Sequence, residues 1–239
     1  MDLNPGEILS LIGPNGAGKS TIFNLITGIY PPAEGRVLFE GRPISGLPPH
    51  AVAACGIGRT FQNIRLFRDL TVLDNVLVGG HTRGSCGLFG ALMKFLPAVR
   101  REEGRLLELA TRSLAITGLA HRAFEPAAAL PYGEQRRLEI ARAMAMEPKL
   151  LLLDEPAAGM NPNEKQALLE MVKGIRDSGV TVFLVEHDMR FVMGISDRIV
   201  VLDHGVKIAE GTPEEVRNSG AVIEAYLGKG KGSWGKPDA

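Results

Sequence analysis

Cysteine is scarce in this chain of 239 residues, where Cys55 and Cys86 are the only two. They have neither the number nor the spacing of a disulfide framework or a zinc site, and they fit a reducing compartment as ordinary thiols. Charge of one sign is lacking too, because 27 basic residues balance 27 acidic ones. No global field exists to attract nucleic acid or an anionic membrane surface, so contacts with partners must be local. No apolar run approaches the roughly 18–20 residues that span a bilayer, and the first residues lack the basic-then-apolar pattern of a signal peptide. Any role at a membrane is expected to pass through a partner. What the chain does have is 45% hydrophobic content, an ordinary supply for the core of a soluble globular protein.

The segment Gly13-Pro14-Asn15-Gly16-Ala17-Gly18-Lys19-Ser20 fits the phosphate-loop pattern G-x-x-x-x-G-K-[ST]. Glu7 to Ile12 before it reads as a short apolar strand, and Thr21 to Ile26 behind it carries apolar residues at helical spacing up to Gly28. Glycines at 13, 16 and 18 let successive N–H groups turn inward on an anion, and the helix N-terminus adds partial positive charge. A nucleoside triphosphate is the expected ligand. Lys19 would reach its β and γ phosphates, and the Ser20 hydroxyl would serve Mg²⁺, which prefers hard oxygen ligands.

Further along, Gly35 to Phe39 resembles a strand, and Gly41 to Pro49 is rich in proline and glycine. Between Val72 and Met146 the periodicity turns helical, in Arg105–Leu114 and again in Arg136–Met146. Strand patterns return at Leu150–Leu153, Val180–Val185 and Ile199–Leu202, with a helix from about Asn163 to Asp177. Asp203-His204-Gly205 predicts a hairpin, and Thr212-Pro213-Glu214-Glu215 has capping-box spacing ahead of a last helix. The fold class is therefore α/β, a P-loop NTPase core interrupted by a helical subdomain. The division places 1–65 and 149–227 in the core, 66–148 in the helical subdomain, and 228–239 in a disordered tail around Trp234. The stripe Phe89, Leu92, Phe95, Leu96 ahead of Arg100 and Arg101 is either a partner contact or packed inward.

A phosphate loop alone admits kinases, GTPases, helicases and transport ATPases. Asp154 and Glu155 close an apolar strand: Asp154 can hold Mg²⁺ through water, and Glu155 can orient and polarise an attacking water. Glu186-His187-Asp188 lies just past another strand, from which His187 could reach the γ-phosphate, or could be a solvated loop histidine. Gln62, within Arg59-Thr60-Phe61-Gln62-Asn63, could sense Mg²⁺ or the water, or could be structural. Leu130 to Gln135 opens a helix, and the local sequence does not distinguish a second anion site from a plain helix start.

Taken together, Gly13–Ser20, Gln62, Leu130–Gln135, Leu150–Glu155 and His187, in this order and spacing, resemble the ATP-binding cassette (ABC) ATPases over nearly the whole chain. Arg59-Thr60-Phe61-Gln62, Tyr132–Glu139, Ala157–Pro162, Glu186–Met189 and Ala225–Gly228 are similar to the subunits that power branched-chain amino-acid importers. The resemblance implies that ATP and Mg²⁺ are held by Gly13, Pro14, Asn15, Gly16, Ala17, Gly18, Lys19, Ser20 and Thr21. Metal contacts would come from Ser20, Gln62 and Asp154, and hydrolysis from Glu155, His187 and Gln62. It also implies a head-to-tail dimer with a second ATPase subunit, identical or paralogous. There Tyr132, Gly133, Glu134 and Gln135 would close each site in trans, Gly133 through its N–H. Gln62 and the loop after it would receive a coupling helix of a transmembrane permease. A solute-binding protein would take part indirectly, and the chain would sit peripherally on the cytoplasmic face of the cell membrane. The other readings are a soluble ABC ATPase acting on DNA or ribosomes and a nucleotide-dependent scaffold. Long coiled-coil insertions, tandem cassettes and basic patches are all lacking, which speaks against the first. Glu155 with His187 speaks against the second.

Two departures stand out. Pro131 occupies a place where the family often has serine, and proline offers neither hydroxyl nor N–H to a phosphate. Only twelve residues precede Gly13, whereas the resemblance implies further strands and an adenine-stacking aromatic there. Codons in frame upstream of Met1 are expected to encode them.

Overall fold

The computed structural model describes residues 1–80 and 97–227. The stripe of 88–96, Cys86, His81 and the tail 228–239 lie outside the described residues. In chain order the elements are β1 (Ile8–Ile12), α1 (Lys19–Ile26), β2 (Leu38–Phe39), β3 (Arg42–Pro43), α2 (Pro49–Ala54), β4 (Ile57–Arg59), α3 (Val72–Gly80) and α4 (Pro97–Ile116). They continue with α5 (Tyr132–Met144), β5 (Leu150–Asp154), α6 (Pro162–Asp177), β6 (Thr181–Val185), α7 (Met189–Ile195), β7 (Arg198–Asp203), β8 (Val206–Gly211), α8 (Pro213–Arg217) and α9 (Gly220–Leu227).

The main sheet runs β4-β5-β6-β1-β7-β8, with every pairing parallel except the antiparallel β7–β8 edge. Strands buried on both faces read as continuous apolar runs, as Leu150–Leu153 and Val182–Val185 do. Side chains alternate between faces along each strand. Leu151, Leu153, Val182 and Leu184 face α6 through Leu168, Val172 and Ile175. Leu150, Leu152, Phe183 and Val185 face Phe23 of α1 and Val52 of α2. Each such fully buried side chain contributes about 1.5–3 kcal/mol. A separate apolar cluster joins α3, α4 and α5 through Val72, Val76, Ala110, Leu114, Leu138 and Ala141. A fourth covers β1 and β7 with α7, α8 and α9, through Ile12, Ile199, Val201, Val192, Val216 and Val222.

Several boundaries are set by local chemistry. Asn161 caps α6 in a reciprocal capping box with Glu164, and Thr212 does the same for α8 with Glu215. His204 and Gly205, at φ 46° and 79°, make the two-residue hairpin from Asp203 to Val206. The strand expected over Gly35–Phe39 is shorter. Leu38–Phe39 pairs only with Arg42–Pro43, and Pro43 has no N–H to extend the ladder. The segments α2, β4 and α7 carry too little periodicity to stand out in the sequence, and two helices, not one, follow Thr212.

Candidate functional site

Parallel strands all point their carboxyl ends at one edge, and ligands of such sheets bind outside that edge. Four neighbouring strands deliver the segments singled out in the sequence: β4 leads to Gln62, β5 to Asp154 and Glu155, β6 to His187, and β1 to the phosphate loop. The ends of β5, β6 and β1 are level, since Asp154 of β5 and Leu11 of β1 both pair with Val185 of β6.

The phosphate loop folds over its own lysine. Lys19 Nζ donates to the carbonyls of Gly13 at 2.7 Å and Pro14 at 2.9 Å. Burial lowers the Lys19 pKa, and the nearby Glu155 charge opposes that shift. Gly13 has no room for a side chain, because a Cβ there would lie 2.2 Å from the Leu202 carbonyl oxygen. The buried Tyr226 hydroxyl of α9 lies by the Gly13 backbone, and burial pushes its pKa up to about 12. Gly16 and Gly18 take positive φ, and Gly18 is the N-cap of α1. Ser20 and Thr21 follow in the first turn of that helix.

Gln62 and Glu155 meet directly, with Gln62 Nε2 donating to Glu155 Oε2 at 3.1 Å. Glu155 itself sits at φ 48°, where a non-glycine residue is strained by about 1–3 kcal/mol. Its N–H is held by the Val185 carbonyl at 2.9 Å. His187 Nδ1 is 3.7 Å from Glu155 Oε1, and the ring is 61% exposed, open to whatever approaches the edge. Asp154 is buried, which raises its pKa, while Arg59 at 3.4 Å opposes the rise. Arg59 is fixed by Asn24 Oδ1 and Thr27 Oγ1, each at 2.9 Å, and lies over the rings of Phe23 and Phe61.

Ser20, Gln62 and Asp154 offer a hydroxyl, an amide carbonyl and a carboxylate, a hard-oxygen set suited to Mg²⁺ beside a triphosphate. No cluster of three or more His, Cys, Asp or Glu able to hold a metal occurs among the described residues.

The segment Tyr132–Gln135 begins α5, with Pro131 as its N-cap and no side-chain cap hydrogen bond. Its side chains turn to their own neighbourhood: Gln135 Nε2 donates to the Leu130 carbonyl, and Glu134 pairs with Arg122 and Arg137. Gly133 is pressed against α6, where a Cβ would come within 2.5 Å of Glu164 Oε1. Glu164 is already engaged in its capping box, so the space cannot be made by swinging it away.

The sequence reading missed the side chains that bind these parts together. Arg136 reaches the Phe61 carbonyl at 2.9 Å, the Gln62 carbonyl and the Tyr132 hydroxyl. Glu139 accepts from Arg65 N–H at 2.8 Å, and Arg142 donates to the Arg65 carbonyl. The segment carrying Gln62 is thus clamped to α5, and a cavity of 310 Å³ lies beside the clamp against Gln62, Leu66, Tyr132 and Gln135. Arg136 and Glu139 are one helical turn apart, the only local sign of their pairing. Asp188 was detectable as an N-cap; its carboxylate accepts from Arg190 N–H and Phe191 N–H.

Residues 1–158 match the family described as ABC transporter, and residues 206–231 match the branched-chain amino acid ATP-binding cassette transporter family. The chain is 49% identical to the high-affinity branched-chain amino acid transport ATP-binding protein LivG of Escherichia coli K12, covering 96% of this chain and 90% of that one. It is 47% identical to the corresponding protein BraF of Pseudomonas aeruginosa, covering 93% and 88%. Among solved structures, the ADP conformation of MJ1267, an ATP-binding cassette of an ABC transporter, superposes with a TM-score of 0.82 at 34% identity, covering 96% and 91%.

Proposed function

The chain belongs to the ABC transporter family, and from that membership we propose that it is the ATP-hydrolysing subunit of an importer of branched-chain amino acids. The observation that carries the reading is the gathering of the phosphate loop, Asp154, Glu155, His187 and Gln62 at the ends of four adjacent strands, with Gln62 on Glu155. The solute class is supported by the names of its relatives and by the family match over 206–231.

In this reading, Lys19 exchanges its two backbone carbonyls for the β and γ phosphates of ATP, while N–H groups of the loop after Pro14 and of the first turn of α1 surround them. Ser20, Asp154 and the side-chain carbonyl of Gln62 would hold Mg²⁺, which would neutralise charge developing on the phosphates. Glu155 orients and polarises the attacking water, with Gln62 fixing one of its oxygens. His187 hydrogen-bonds the γ-phosphate oxygen and that water from the exposed side.

Each site is completed by a second ATPase subunit, identical or paralogous, whose Tyr132–Gln135 turn approaches head to tail and offers the Gly133 N–H. Residues 1–65 and 149–227 act as the nucleotide-binding core and 66–148 as a helical subdomain that receives a permease beside Gln62. The chain is thereby held on the cytoplasmic face of the cell membrane, and the solute-binding protein acts only through the permease. No helix among the described residues is long and apolar enough to cross a membrane, which fits a peripheral subunit.

Glu155→Gln keeps the shape of the side chain and removes its charge. The variant is expected to bind ATP at near wild-type affinity while turnover falls by about a hundredfold or more, a typical scale for loss of a general base. Unchanged turnover would falsify the role of Glu155. Reconstitution with candidate permeases tests the solute, since only the cognate permease should stimulate ATP hydrolysis on addition of a branched-chain amino acid and its binding protein.

A further inference from the structure

Glu186 is the first residue beyond β6 and is 1% exposed, yet its hydrogen-bond partners are backbone amides. Oε1 accepts from Ala157 N–H at 2.8 Å. Oε2 accepts from His187 N–H at 3.0 Å and from Asp188 N–H at 3.4 Å. Burial raises the pKa of this carboxyl, and those amides oppose the rise. A buried carboxylate is costly unless its acceptors are used. Here the two oxygens are divided between two different turns of the chain.

Those turns carry two of the three groups assigned to hydrolysis. Ala157 lies in the turn begun by Glu155, whose carbonyl accepts from Ala158 N–H at 3.2 Å. His187 and Asp188 form the other turn, which is held from behind as Asp188 caps α7 and pairs with Lys165 of α6 at 2.5 Å. His187 Nδ1 faces both carboxylates, 3.7 Å from Glu155 Oε1 and 3.8 Å from Glu186 Oε2. The ring edge bearing Nε2 is thereby left for an incoming phosphate.

We infer that Glu186 is a positioning residue for hydrolysis, a two-oxygen clasp that sets the spacing between Glu155 and His187 by tying the Ala157 turn to the His187 turn. It rests on the hydrolytic reading of Glu155 and His187 and adds a residue that touches neither ATP nor water. A displacement of either turn is passed to the other through one rigid side chain. Because the clasp lies behind the phosphate loop's neighbours and not in the loop, it governs the chemical step more than nucleotide binding.

Glu186→Gln tests the clasp without changing side-chain volume. An amide can offer its carbonyl to one turn only, and its NH₂ must then face an N–H donor of the other. The expected result is a fall in kcat of tenfold or more, with KM for ATP and the Kd of a fluorescent ATP analogue within twofold of wild type. Glu186→Asp, which keeps the charge but is shorter, is expected to fall between the two in kcat, again with ATP affinity retained; if the glutamine variant fails to fold, this variant decides. Wild-type kcat in the folded glutamine variant, or in the aspartate variant where that one decides, overturns the inference. So does a parallel loss of kcat and ATP affinity with a lowered thermal midpoint, the mark of a merely structural role. Glu155→Gln and His187→Ala are measured alongside. If both stop turnover while the Glu186 variants do not, this inference alone fails. If Glu155→Gln turns over like wild type, the hydrolytic reading falls and this inference with it.

Discussion

Pro131 marks how a single residue can tune the site. It precedes α5 as N-cap at φ −55° and ψ 155°, with no side-chain oxygen to cap the helix or to meet an anion. Pro131→Ser restores a hydroxyl where the second subunit's ATP would lie. A hydrogen bond to a charged group contributes about 1.5–3 kcal/mol, so ATP-driven association of the Glu155→Gln background should tighten roughly tenfold or more. Sedimentation of the two variants at matched ATP concentrations checks it, and no tightening would place the phosphate elsewhere. Glu139 allows a pH test. Its folded pKa is raised, chiefly by burial, above the ordinary glutamate value of 4.5. The native state therefore holds its proton to higher pH than the unfolded chain, and the stability from this group is full below 4.5 and lost as pH rises through the raised value. Relative to Glu139→Gln, the wild type should lose stability with rising pH above 4.5 and then level off, as measured by urea unfolding at several pH values.

At the level of elements, what could be read in advance was whatever carried a local cause. The phosphate loop, the capping boxes at Asn161 and Thr212, and the His204–Gly205 hairpin each follow from residues within a few positions of one another. The clamp of α5 on the Gln62 segment does not, because its partners lie as many as 77 positions apart in the chain. The same holds for α9 and the phosphate loop. Tyr226 buries its ring against the cluster over β1 and β7 and sets its hydroxyl on the Gly13 backbone. Tyr226→Phe removes one oxygen and leaves the packing. Losing the polar contact with that backbone costs about 0.5–1.5 kcal/mol on the scale of one hydrogen bond, so ATP affinity should weaken roughly two- to tenfold while kcat at saturating ATP holds. Isothermal titration with a non-hydrolysed ATP analogue gives the first number, and steady-state turnover gives the second.

At the scale of the whole molecule, the site is half of what the proposed reaction needs. Gly133 and Tyr132 are turned toward α6 and their own helix, and their side-chain and Cβ contacts run to Glu164, Arg136 and Gly159. ATP bound at one phosphate loop should therefore recruit a second chain. Glu155→Gln with Mg-ATP is expected to double in mass by light scattering, with the fraction of dimer rising with protein concentration, and to return to monomer when ATP is removed. A variant that stays monomeric at saturating ATP would remove a second copy of this chain as the head-to-tail partner and leave a paralogous subunit in that place.

Residue order alone determined the triphosphate ligand, the α/β character, the helical interruption and the carboxylates after Leu153, because each is written in short patterns of spacing, burial and turn chemistry. It left Gln62 and His187 with bland alternatives and gave no sign of the roles of Arg136, Glu186 or Tyr226. Only the tertiary structure decided those, by choosing the strand order β4-β5-β6-β1. Parallel pairing brings the ends of four strands, distant in the chain, to one edge, and burial behind that edge makes a polar side chain find a partner wherever the fold supplies one. Local pattern sets which elements form, whereas the neighbours that satisfy a buried carboxylate or guanidinium exist only once the sheet has closed around them.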